Sequence, residues 1–156
     1  MIFYIFFIVL MLIALYCVAQ ISIADFRRRI IPDAYLFPLM LIGLILITYF
    51  PYPITLSAAT TGATFGYLMA TIIGILFEKR ISKASPTKMP PIGMGDIKLI
   101  GVGGLWLGTT GLATTLIIAC ITGAIWAHKH HQKYIPFAPF FLFGGILSLI
   151  GIWFLI

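Results

Sequence analysis

Apolar residues run through this chain in long blocks, with polar residues confined to short breaks between them. A helix needs about 20 apolar residues to cross a hydrocarbon core, and fewer where it is partly covered by protein. Six segments qualify: residues 2–24, 34–50, 54–77, 97–108, 111–127 and 137–156. The fourth is short and rich in glycine. The pattern predicts an all-α polytopic membrane protein of six transmembrane helices, forming a single domain over residues 1–156.

The breaks differ sharply in charge. Arg27, Arg28 and Arg29 follow the first segment; Lys79, Arg80, Lys83 and Lys88 follow the third; Lys129 and Lys133 follow the fifth. The breaks at 51–53 and 109–110 carry no charge. Basic loops stay in the cytoplasm, so this alternation predicts cytoplasmic basic loops and both termini extracytoplasmic. The break at 78–92 holds Ser82, Ser85, Pro86, Pro90 and Pro91 and is the longest polar stretch. It reads as a passive linker or as a lid.

Composition supports a membrane location. The chain is 62% hydrophobic and 9% charged, where a soluble domain carries about a quarter charged residues. The net charge of +6 is accounted for by loop residues of this kind, so lipid and not nucleic acid is the implied surroundings. Cys17 and Cys120 stand alone in apolar runs and read as buried structural thiols. The first segment has no basic start and no small-residue cleavage site, and reads as a retained helix. Gly62 and Gly66, and likewise Gly104 and Gly108, have the small-xxx-small spacing that lets membrane helices pack closely.

Only four residues are acidic: Asp25, Asp33, Glu78 and Asp96. A carboxyl beside a membrane span is costly, and is a functional candidate by default. The topology puts Asp25 and Asp96 on one membrane face at similar depth. Two carboxyls that approach closely share a proton, and such a pair can activate water for peptide hydrolysis. Gly93 and Gly95 beside Asp96 leave room for substrate or a facing helix. The residues alone leave other roles open. Asp25 also reads as one more charge beside the arginines, and Asp96 as an acid favoured at a helix start. Asp33 reads as a cap or turn residue, and Glu78 as structural. Lys98 does not face Asp96 along a helix; it reads as a snorkelling lysine or as one that tunes the site. His128, His130 and His131 have no evident fourth ligand and read as interfacial residues, with no metal site.

Three stretches together resemble the type IV prepilin peptidases, membrane aspartic endopeptidases of the G-x-G-D class. They are Ala24-Asp25-Phe26-Arg27-Arg28-Arg29-Ile30-Ile31-Pro32-Asp33, Gly93-Met94-Gly95-Asp96-Ile97-Lys98-Leu99, and Ile135-Pro136-Phe137-Ala138-Pro139-Phe140. In the last, Ala138 stands where the family usually has glycine. The resemblance implies Asp25 and Asp96 as the catalytic pair, with Gly93, Gly95 and Lys98 in substrate-binding or supporting positions. It implies no cofactor, and a location in the inner (plasma) membrane with the site facing the cytoplasm. The implied partner is a prepilin or pseudopilin, whose short basic leader is cut just before its hydrophobic helix. The long forms carry an N-terminal cytoplasmic domain with paired cysteines, linked to N-methylation. This chain is similar to the short form of tight-adherence or Flp-type pili, for which peptidase activity alone is expected. Two other functions fit the same residues. One is a broader intramembrane G-x-G-D protease; the other is a small proton- or ion-coupled transporter or pilus-assembly scaffold.

Overall fold

The computed structural model describes residues 2–84, 92–131 and 135–155. They form five helices: α1 (Ile2–Arg28), α2 (Asp33–Tyr49), α3 (Leu56–Ala84), α4 (Met94–His130) and α5 (Phe137–Leu155). All of the regular structure among the described residues is helical, as expected of a chain whose backbone must satisfy its own hydrogen bonds in lipid.

The expectation of six transmembrane helices is corrected. Four helices are long and apolar enough to cross a membrane, and α2, at 17 residues, is a shorter apolar helix. The expected fourth and fifth segments fall within one element, α4. The uncharged break at 109–110 is itself helical, because a threonine pair without proline does not stop a helix. Only Gly108 leaves helical geometry, at φ 66° and ψ −175°, a backbone that a residue with a Cβ avoids.

That single residue redirects the chain. A straight helix would separate Ile100 from Leu112 by about 18 Å, yet both approach Gly66 of α3. The start of α4 packs on Ile31 through Gly95, and its end packs on Phe26 through Trp126. Both ends of α4 therefore lie at the same end of the bundle.

Helix ends follow local chemistry. Arg29 adopts a left-handed φ of 55° after α1, and its N–H donates to the Asp25 carbonyl at 3.0 Å. Pro32 then disfavours helix in the residue before it, and α2 starts at Asp33, whose acidic side chain suits a helix N-terminus. The helix α3 continues to Ala84, so residues 78–84 of the expected polar loop are helical. Residues 85–91, on which the linker-or-lid reading also rests, lie outside the described residues, as does Lys133.

The α4 helix is the hub: it contacts α2, α3 and α5, while α1 contacts α2 and α5. The two glycine pairs meet each other. Gly62 of α3 lies against the backbone of both Gly104 and Gly108, so the helices touch main chain to main chain. On α1, Leu10, Ala14, Cys17 and Ile21 are buried at helical spacing, and face Leu36, Leu39, Ile42 and Leu46 of α2 within one core. The outward faces carry large exposed apolar residues such as Phe3, Leu12, Phe65 and Ile72, which suits a lipid solvent. Cys17 is buried as expected, whereas Cys120 is exposed, because it falls on the outward face of α4.

At the end away from the charges, Tyr52 of the α2–α3 connector donates to the Trp106 carbonyl at 3.0 Å, and Trp106 Nε1 donates to the Leu39 carbonyl at 3.0 Å. Burial pushes the Tyr52 phenol above its ordinary value, so it remains a neutral donor. Together these bonds tie α2, its connector and α4.

Candidate active site

Asp25 occupies the next position on the buried stripe of α1, four residues after Ile21, and is only 5% exposed. The stripe carries it inward, among groups that must satisfy its oxygens. One oxygen accepts the Ala138 N–H at 2.8 Å, and the Phe137 amide also acts on it. These are the first N–H groups of α5, which no helical carbonyl can satisfy. Pro136 precedes them and has no side-chain oxygen with which to cap them. Asp25 thus caps a helix 113 residues away in sequence, aided by the partial positive charge of that helix start. Arg29 adds a positive charge nearby.

Asp96 stands at the start of α4 and is half-buried. Its carboxylate reaches back to accept the Gly93 N–H at 3.3 Å. This is the N3-to-cap half of a capping box; the other half is missing because glycine has no side chain. The structure holds the two aspartates at the same end of the bundle, near enough for their charges to act on each other.

The two glycines of the motif have different roles. A Cβ on Gly95 would lie 2.9 Å from the Ile31 Cβ, so this glycine lets the α1–α2 connector settle onto α4. A Cβ on Gly93 would lie 3.3 Å from an Asp96 carboxylate oxygen, so its absence keeps the space beside the carboxyl open. Lys98 has a partner that neither of its sequence readings named. Its ammonium pairs with Asp33 of α2 at 2.7 Å. Asp33, read from sequence as a cap or turn residue, instead opens α2 and holds this ion pair; Pro32 occupies the cap position.

Two contacts therefore join the α1–α2 connector to the start of α4: Ile31 on Gly95, and Asp33 with Lys98. They fix the α1 end that carries Asp25 relative to the α4 end that carries Asp96. Sequence reasoning missed both, along with the Ala138 amide. Lys98 and Asp33 lie 65 positions apart, and a backbone N–H leaves no mark in a sequence. Two charged residues without local partners, Asp33 and Lys98, are the available signal. Ala138 is fully buried, and the close approach to Asp25 occurs with alanine there.

The histidines lie beside the pair rather than in it. His130 stacks on Trp126, with ring centres 4.7 Å apart, and its Nδ1 lies 3.0 Å from the Trp126 carbonyl. Glu78 lies on the exposed part of α3. Among the described residues no three His, Cys, Asp or Glu side chains converge as metal ligands.

A family model for the type IV leader peptidase family matches residues 1–128. The chain belongs to that family. The match spans both aspartate motifs, Asp25 and Asp96 included. Among curated relatives, the chain is 29% identical over 146 residues to the prepilin leader peptidase/N-methyltransferase of Aeromonas salmonicida, covering 89% of this chain and 48% of that protein. It is 29% identical over 147 residues to the protein of the same name from Pseudomonas aeruginosa, covering 90% and 48%. It is 29% identical over 134 residues to the type 4 prepilin-like proteins leader peptide-processing enzyme of Escherichia coli O78:H11, covering 82% and 46%. The chain thus spans about half the length of these curated relatives. No solved structure matches it significantly. This leader peptidase family member holds both aspartates at one end of a membrane bundle.

Proposed function

We propose that this chain is a membrane aspartic endopeptidase that removes the leader of prepilins or pseudopilins, with Asp25 and Asp96 as the catalytic pair. The observation that carries this reading is the placement of both carboxyls at one end of the bundle, near enough for their charges to act on each other. Family membership supports the substrate class.

The chemistry requires one carboxylate and one carboxylic acid. The ionised member takes a proton from water as the oxygen attacks the scissile carbonyl carbon. The protonated member donates to the carbonyl oxygen, and collapse of the tetrahedral intermediate passes a proton to the leaving amine. Water is the only co-reactant. The Ala138 amide and the Gly93 amide hold the two carboxyls in orientation. Gly93 keeps the approach to Asp96 open, and the Lys98–Asp33 pair positions Asp96 opposite Asp25.

The membrane face follows from charge. Arg27, Arg28, Arg29, Lys79, Arg80, Lys98 and Lys129 all gather toward the end that holds the aspartates, and the α2–α3 connector at the other end carries no charge. The positive-inside rule puts the site at the cytoplasmic face of the plasma membrane, where a basic leader emerges.

The test is leader removal in detergent, using the purified chain and prepilins from its own genome. Cleavage by the unaltered protein, lost in both Asp25→Asn and Asp96→Asn with the fold retained, is the expected result. Full activity in either variant overturns the pair. Failure of the unaltered protein on every prepilin overturns the peptidase reading in favour of a transporter or scaffold.

A further inference from the structure

The helices α1 and α4 carry the two aspartates, yet among the described residues their backbones do not approach closely, and Phe26 against Trp126 is a side-chain contact near the aspartate end. Between α1 and α4 lies a cavity of about 300 Å³. Its walls are Met11 and Val18 of α1, Leu99 and Leu107 of α4, and Phe141 and Gly145 of α5. Every side chain that lines it is apolar, apart from the indole N–H of Trp106, which is already bonded to Leu39.

Its position relative to the aspartates is specific. Leu99 lies three residues beyond Asp96, one turn deeper on the same helix. Phe141 lies three residues beyond Ala138, whose amide holds Asp25. Val18 lies two turns below Asp25. Each wall of the cavity therefore begins one or two turns below a group of the candidate site. From Leu99 to Leu107 it runs about 12 Å along the bundle, or some two helical turns. The slot between α1 and α4 thus lies one to two turns below the two carboxyls, with the buried Ile21 side chain on α1 between Val18 and Asp25.

We propose that this slot receives the apolar segment of the peptide substrate, on the membrane side of the bond that is cut. The proposal rests on the peptidase reading above. A chain whose scissile bond lies between Asp25 and Asp96 has one continuation toward the membrane interior, and that is the gap between their helices. An apolar side chain or helix face fills a slot of this lining without leaving a polar group unpaired. In lipid, the gain comes from packing rather than from escape from water, so shape decides binding. The slot therefore adds affinity and register for membrane-embedded substrates, apart from the chemistry at the aspartates.

Gly145 provides the test. A Cβ there meets Leu107 Cδ1 at 3.7 Å and Thr115 Cγ2 at 3.9 Å, both ordinary contacts, so a larger side chain extends into the slot without displacing backbone. Two substrates are compared: a full-length prepilin with its apolar helix, and a soluble peptide that spans the same bond but ends a few residues beyond it. Gly145→Leu is expected to raise KM for the full-length substrate about tenfold, the scale of an overpacking penalty, and to leave kcat/KM for the short peptide unchanged. A photo-crosslinking residue in place of Val18 is expected to capture the full-length substrate, in competition with an unlabelled copy. Unchanged KM for the full-length substrate, an equal loss on both substrates, or capture of lipid alone overturns the slot. If the unaltered chain cleaves neither substrate, the peptidase reading falls, and the slot falls with it. If the unaltered chain cleaves both and Gly145→Leu behaves identically, only the slot falls.

Discussion

The helix α4 meets its neighbours in two opposite ways. Toward α3 it presents Gly101, Gly104 and Gly108, and the main chains touch. Toward α1 it presents Leu99, Gly103 and Leu107 across a cavity, and the contact between the two helices is a side-chain one, Phe26 against Trp126. The first face has no room for a methyl group at Gly104; the second leaves room for another molecule. In lipid, helices gain nothing by hiding apolar surface from water, so close packing of small residues supplies the association. A helix held firmly on one side tolerates an unfilled gap on the other, and the two aspartates stand at the same end of the bundle, one to two turns from that gap.

The sharpest separation of the two faces is a pair of substitutions. Asp96→Asn is expected to lower the rate of leader cleavage by about 10³-fold or more, while the thermal unfolding midpoint in detergent barely moves. A substantial fall in that midpoint would mean that the site is also a structural joint. On the opposite face, Gly104→Leu drives a side chain into the Gly62 backbone, which cannot step aside as a side chain would. The expected cost is about 3 kcal/mol or more, read as loss of folded yield and a lowered unfolding midpoint. A normal midpoint would contradict main-chain contact between α3 and α4.

Next in size is the joint between the connector and α4. Lys98→Met and Asp33→Asn are each expected to lower kcat about tenfold, the scale of a misplaced catalytic group, with KM for substrate unchanged. The ion pair is partly exposed, at 38% and 47% for the two side chains, so its direct contribution to stability is expected to be at most about 1 kcal/mol. The exchange Asp33→Lys with Lys98→Asp is expected to recover much of kcat. Lack of recovery, with each single variant impaired, would argue against a positioning role. The smallest effect is expected for Gly101→Ala. Its new methyl meets Tyr67 Cβ at 3.4 Å, close to ordinary contact, and alanine favours helix by up to about 1 kcal/mol. A midpoint unchanged or slightly raised would show that the tight contact is confined to Gly62, Gly104 and Gly108.

Much of this arrangement is legible in the order of residues. Apolar blocks predict helices whose limits largely hold, such as residues 34–50 for α2 at Asp33–Tyr49. Asp25 and Asp96 stand out because a carboxyl at a span is expensive, and the fold holds both at one end of the bundle. The spacing of Gly62 with Gly66, and of Gly104 with Gly108, signals close packing, and those glycines lie against α4 or α3 in turn. The helix count is not legible. The pattern at 109–110 resembles a loop in hydropathy, whereas the chain turns at Gly108 through one residue's backbone angles while helical hydrogen bonding resumes on either side. Hydropathy averages over many residues and does not register a change at one.

The sequence by itself determined the solvent and the reagents: a chain too apolar for water, helical throughout its spans, with two carboxyls at the charged end and glycines spaced for contact. These follow from composition and short-range pattern, because burial cost and helical periodicity act residue by residue. Tertiary structure decided the partners. Asp25 holds the Ala138 amide, Lys98 holds Asp33, and Ile31 rests on Gly95. A slot opens between α1 and α4 because α2, α5 and the connector set how close those helices come. Each of these is a distance between segments remote in sequence. Such distances result from the packing of all five helices at once, and no local pattern contains them.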